Sequence, residues 1–244
     1  ALEESKKALA ESKVLEKKLK PTKEQKAQSK ADYKRFLDES NRKQLVYYSE
    51  KSGFYKYFED QIAYILEHSD ITIHYLTSDP RDKIFECGDP RIVPYYVDDN
   101  RLIPLFMMMD CDVMVCTTPN IETYHLKRSM VRKDIEYIYT PHDPLSLHMG
   151  AAKGAFDHFD TLLCVGPHQV TEARELEKVY GTRVKTLVPC GYSLIDNLIA
   201  SYEGMEHKEN AVKKILIGPS WQEGNILEGA IHPLLGSLLD KGYD

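Results

Sequence analysis

The chain predicts an α/β fold built on a parallel sheet of the Rossmann type. Three observations carry this: short apolar runs alternate with helical periods from Gln44 onward, two of those runs are continuously apolar, and small or capping residues follow most of them. Strands are expected at Leu45–Ser49, Ile71–Thr77, Arg91–Val97, Asp112–Thr117, Glu136–Tyr139, Thr161–Val165, Lys185–Val188 and Lys214–Ile217. Leu162–Leu163–Cys164–Val165 and Ile215–Leu216–Ile217 lack the apolar–polar alternation of a one-sided strand, as strands covered on both faces do. The segments Phe54–Glu67, Leu102–Asp110, Glu122–Met130, His168–Tyr180, Ser193–Tyr202 and Asn225–Lys241 read as the intervening helices.

The order of these elements divides the chain into three parts. Residues 1–43 are expected to be a helical arm outside the sheet. Ala1–Lys20 is rich in helix formers with a sparse apolar stripe, Pro21 interrupts it, and a second helix follows over about Lys23–Ser40. Residues 44–205 carry seven strands and form the first Rossmann-like domain. The charged stretch Glu203–Asn210 reads as a linker, so residues 206–244 are expected to open a second domain with one βα unit.

Composition narrows the classes. Of 244 residues, 42% are hydrophobic and 29% charged, as in soluble globular proteins, and the net charge of −6 argues against a dedicated nucleic-acid binder. Charge is uneven. Residues 1–43 carry 13 Lys/Arg against 8 Asp/Glu, leaving 19 against 30 for the rest, so a basic arm precedes an acidic body. Such an arm suits an anionic membrane surface, and it equally suits a solvated spacer or a coiled coil. Five scattered cysteines without metal-ligand spacing suit a reducing cytoplasm, and no run approaches the ~20 apolar residues of a membrane span. No motif requires a cofactor, and no acidic or Cys/His cluster has the spacing of a metal cage.

In parallel α/β sheets ligands gather beyond the carboxyl ends of the strands, so the residues there are the candidates. After the first strand, Ser52 and Gly53 read either as a helix entry able to hold an anion or as an ordinary turn. Thr117–Asn120 reads as helix capping. After the fifth strand, Pro141 and Pro144 bracket His142 and Asp143. A histidine there can act as general base near neutral pH, since its unperturbed pKa is ~6.5, and the adjacent carboxylate can orient its ring. Gly166 and Gly191 follow the sixth and seventh strands. The loop after the eighth carries Ser220, the single tryptophan Trp221, Gly224 and Asn225. A nucleotide base can stack on Trp221 while phosphates meet backbone N–H groups; an aromatic buried between domains has the same sequence.

The strings Tyr139–Thr140–Pro141–His142–Asp143–Pro144, Phe159–Pro167, Cys190–Gly191–Tyr192 with Asp196 and Leu198, and Ile215–Trp221 together resemble the CDP-glycerol glycerophosphotransferase family. The resemblance covers roughly Gln44 to Asp244. It implies a GT-B fold of two Rossmann-like domains, of which this chain holds the first and the truncated start of the second. It also implies an activity: transfer of glycerol phosphate from CDP-glycerol to a hydroxyl of a membrane-anchored polymer acceptor, at the cytoplasmic face of the cell membrane, with release of CMP. His142 matches the family's proposed base, and Asp143 stands where the family has Gly. The loop bearing Ser220, Trp221, Gly224 and Asn225 would supply part of the donor-phosphate site. The remainder of that site lies in the second domain, so the 244 residues alone are expected to be inactive. A GT-B enzyme using a nucleotide sugar, and a non-catalytic membrane-proximal scaffold of the same fold, are the alternatives.

Overall fold

The computed structural model describes residues 21–38, 43–205, 213–218 and 224–243. The chain divides into two compact units, Ala1–Asn197 and Leu198–Asp244. The division falls inside a helix rather than in the charged segment expected to link the domains.

The first unit contains one seven-stranded sheet: β1 (Lys43–Ser49), β2 (Ile73–Thr77), β3 (Ile92–Tyr96), β4 (Cys111–Cys116), β5 (Glu136–Tyr139), β6 (Thr161–Cys164) and β7 (Thr186–Pro189). Their order is β3-β2-β1-β4-β5-β6-β7 and every neighbouring pair is parallel. This is the doubly wound arrangement, with its switch point between β1 and β4. The α/β class and seven of the eight expected strands stand as read from the sequence.

Strand alternation sorts the core onto two faces. Val46, Tyr48, Met114, Cys116, Tyr137, Tyr139, Leu162 and Cys164 point one way. They meet Phe36 of α1 (Lys23–Phe36), Leu105 and Phe106 of α3 (Asp99–Met107), and Ala173 of α5 (Pro167–Tyr180). Leu45, Tyr47, Ile73, Tyr75 and Val115 point the other way, toward Phe58 and Ile62 at α2 (Glu59–His68). The second face is clad only over part of its width. Across β4 to β7 it leaves a groove of ≈ 730 Å³ whose floor includes Val113, Val115, Ile138, Leu163 and Val188.

Helix α1 corrects an expectation. Half of the presumed external arm belongs to the sheet's body. Thr22 and Gln25 form a reciprocal capping box at its start. Phe36 is buried against Tyr95, Arg35 donates to the Pro94 carbonyl and stacks on Tyr95, and two more polar side chains cap free amides. Asp32 Oδ2 accepts from the Tyr96 amide at 3.0 Å, and Ser29 Oγ accepts from the Asp98 amide at 2.9 Å. These amides lie at the open edge of β3, where no further strand can satisfy them, so the helix closes that edge. The other half of the arm, Ala1–Lys20, lies outside the described residues.

Two further expectations fail. The Glu122–Met130 helix is absent: Asn120 and Glu122 have left-handed φ of 67° and 68°, which no α-helix accommodates. The β4–β5 connection is held by side chains instead. Arg128 reaches the Ile135 and His158 carbonyls and Asp160, and Ser129 accepts from Val131 and Arg132 amides. Lys214–Ile217 is not a strand. Among the described residues it has no sheet neighbour to complete its hydrogen bonds, and Leu216 is 95% exposed. The second unit otherwise consists of the end of α6 (Ser193–Glu203), the single turn α7 (Ile226–Gly229) and α8 (Ile231–Asp240). Among the described residues no helix is long and apolar enough to cross a membrane.

Candidate active site

The carboxyl ends of β1, β4 and β5 lie side by side at the switch point, and the loop after the edge strand β7 reaches back toward them. Glu50, just past β1, accepts a 2.7 Å hydrogen bond from the Thr118 hydroxyl past β4, closing the crevice between the two strands. Ser52 and Gly53 open a six-residue 3-10 helix (Ser52–Tyr57), not the α-helix entry that an anion site would need; α2 starts only at Glu59. What this turn contributes is aromatic. The rings of Phe54 and Tyr57 lie 6.0 and 6.1 Å from the imidazole of His142.

His142 stands on the loop after β5, as expected, and the loop is pinned at several points. The Thr140 amide continues the sheet by donating to the Cys116 carbonyl at 2.9 Å. Downstream, α5 holds the chain from below. Gln169 Nε2 donates to the Leu145 carbonyl at 2.9 Å, and Glu172 accepts from the Leu147 amide at 2.6 Å. His168 lies 3.2 Å from the Pro144 carbonyl. The His142 carbonyl itself accepts from the Tyr192 hydroxyl at 2.8 Å. Burial pushes the Tyr192 phenol up to about 12, with Tyr57 and Asp143 nearby adding to it, so it remains a donor throughout the neutral range.

The imidazole is half-buried. Its side chain is 35% exposed, but Nδ1 is buried and meets no hydrogen-bond partner among the described residues. Nε2 lies on the other side of the ring, 3.5 Å from Asp143 Oδ2. The other Asp143 oxygen accepts from the Leu145 amide at 3.0 Å, which fixes the carboxylate beside the ring. His148, on the single turn α4 (Leu147–Gly150), turns away to Ser146 and Glu172.

The other sequence candidates separate into groups. Gly191 has φ +74° and turns the chain immediately after β7, which aims Tyr192 back toward His142. Gly166 caps α5 two strands away from the switch point; a Cβ there would meet the His168 ring at 3.0 Å. Gly224 and Asn225 belong to the second unit, where the Gly224 amide donates to Glu228. Ser220 and Trp221 lie outside the described residues. Sequence reading missed Gln169, Glu172 and Tyr192 as supports of the histidine loop. Only Tyr192 left a trace, as part of the Cys190–Gly191–Tyr192 string. Among the described residues, no group of three or more His, Cys, Asp or Glu side chains is arranged to hold a metal ion.

No family model matches the chain, and no curated protein matches it. The fold and site define an α/β domain with a half-buried His–carboxylate pair at the carboxyl ends of a parallel sheet.

Proposed function

We propose that this domain is the acceptor side of a transferase. It would move a glycerol-phosphate or related group from a CDP-activated donor to a hydroxyl of a membrane-linked cell-surface polymer. The observation that carries the reading is His142, held on a pinned strand-end loop with Nε2 turned outward and 3.5 Å from a fixed carboxylate. A histidine held there can serve as general base for hydroxyl activation, with the carboxylate beside it to stabilise the imidazolium that forms.

Nε2 acts as the base in the tautomer that carries its proton on Nδ1, where it offers a lone pair beside Asp143. The acceptor hydroxyl gives its proton to Nε2 as its oxygen bonds to the donor's terminal phosphorus. The bond from that phosphorus to the bridging oxygen breaks, and CMP leaves with the electron pair. The imidazolium formed at Nε2 is stabilised by Asp143. Phe54 and Tyr57 wall one side of the ring, limiting water access to the attacking oxygen. The groove opening beside Thr140, Pro141 and Tyr192 is apolar along the sheet, which suits the hydrocarbon anchor of such an acceptor.

The test is a donor screen on the full-length protein. CMP release from CDP-glycerol, reduced about 100-fold or more in His142→Ala, is the expected result. Release of UDP or GDP from a nucleotide sugar would replace the donor in this reading. Undiminished turnover by His142→Ala would overturn the mechanism, and no turnover with any donor would favour a scaffold.

A further inference from the structure

We infer that Tyr192 is a positioning residue for His142, tying the loop after β7 to the loop after β5 so that the imidazole is presented in one register. The inference rests on the reading of His142 as the base. Its physical content is a single long-range contact: the Tyr192 hydroxyl donates to the His142 carbonyl at 2.8 Å across fifty residues of chain.

The two loops rise from strands separated by β6, two strand spacings apart, or roughly 10 Å. A phenol bridges most of that span, whereas a serine or threonine hydroxyl falls short. The backbone at Gly191, with φ +74°, supplies the turn that swings the phenol inward. The other supports of the loop act on either side of His142: Thr140 through the Cys116 carbonyl, and Pro144, Leu145 and Leu147 through α5. Tyr192 acts on the peptide of His142 itself. It makes no claim on the ring nitrogens, so it leaves Nε2 open to substrate.

Tyr192→Phe removes one oxygen and keeps the aromatic packing. In the full-length protein the expected result is a kcat lower by about 10-fold, with donor KM unchanged and a melting temperature lower by only about 2–4 °C. Unchanged kcat in a protein whose wild type turns over overturns the inference. A second readout needs no donor: the imidazole proton resonance of His142, assigned by its loss in His142→Gln, followed through a pH titration. A different shift or midpoint in Tyr192→Phe supports the positioning role; superimposable curves overturn it. If the wild type proves inactive, the catalytic reading falls, while the titration still decides whether Tyr192 holds the ring.

Discussion

His74 makes the stability of this fold depend on pH in a window that can be calculated. It lies on β2, 2% exposed, with Nδ1 3.0 Å from the Tyr95 hydroxyl and its ring stacked on Tyr95. Burial is the first cause that pushes its pKa down from 6.5 to about 4, and the charges of Lys43 and Arg35 push the same way. The folded protein therefore keeps His74 neutral at a pH where the unfolded chain has taken up a proton. The stabilisation is complete above ~6.5 and is lost as pH falls toward 4. With those two values, lowering pH from 7 to 5 costs about 2 kcal/mol through this residue alone, worth roughly 4–8 °C in melting temperature for a domain of this size. Carboxylates held below their ordinary range, such as Asp160, whose burial is outweighed by the Tyr137 amide and then by Arg183 and Arg128, also lose stabilisation in acid, so the wild-type curve alone does not isolate the histidine. His74→Gln cannot titrate yet retains a polar partner for Tyr95. Urea unfolding of both proteins at pH 7 and 5 should show the variant losing about 2 kcal/mol less than the wild type over that interval. Equal losses in the two proteins would refute the reasoning, as would a His74 resonance titrating near 6.5 in the native state.

Replacing Ser29 and Asp32 together with alanine frees the Tyr96 and Asp98 amides at the β3 edge. The expected cost is about 2–4 kcal/mol, with faster hydrogen exchange at those two amides; protection equal to wild type would show that α1 does not seal the edge. Helix α1 also presents Lys23, Lys26, Lys30 and Lys34, all exposed and spaced along one side opposite Ser29, Asp32 and Phe36. If this side meets an anionic lipid surface, changing Lys26, Lys30 and Lys34 to Gln weakens binding to phosphatidylserine vesicles on the order of 100-fold, and raised salt weakens the wild type. Equal sedimentation with neutral vesicles would exclude it.

What was legible in the sequence was the part of the fold set by apolar burial. Runs such as Leu162–Val165 and the Val113–Cys116 segment announce strands because both faces of the sheet are apolar there, one packed in the core and the other flooring the groove. What was not legible is docked by polar atoms. Helix α1 offers Phe36 to the core, but Ser29 and Asp32 fix its position, and apolar periodicity is blind to them. The same holds between β4 and β5. Ile121 and Leu126 are buried, yet the backbone follows Arg128 and Ser129 into an irregular path rather than a helix. Lys214–Ile217 shows the converse, an apolar strand pattern that forms no strand without a neighbour to pair with.

The site divides along the same line. His142 and Asp143 could be found because two prolines mark a stiff loop at a strand end, and strand-end position follows from the fold class alone. Their supports could not. Gln169 and Glu172 look like ordinary helix-surface residues, and only the folded chain reveals that Gln169 is buried beneath the loop with both ends of its amide engaged. Under the proposed reading, a base held this way would have little freedom to drift as an acceptor arrived, because α5 fixes the loop from one side and Tyr192 from the other. That rigidity is useful only if the reacting hydroxyl is brought to Nε2 with comparable accuracy. The sheet provides a rigid floor for it: the apolar face of β4 to β7 ends at Thr140 and Pro141, the two residues preceding the histidine. Binding along the groove and chemistry at its end would then share one set of strands, so a change in groove occupancy should register first at the residues leading into His142.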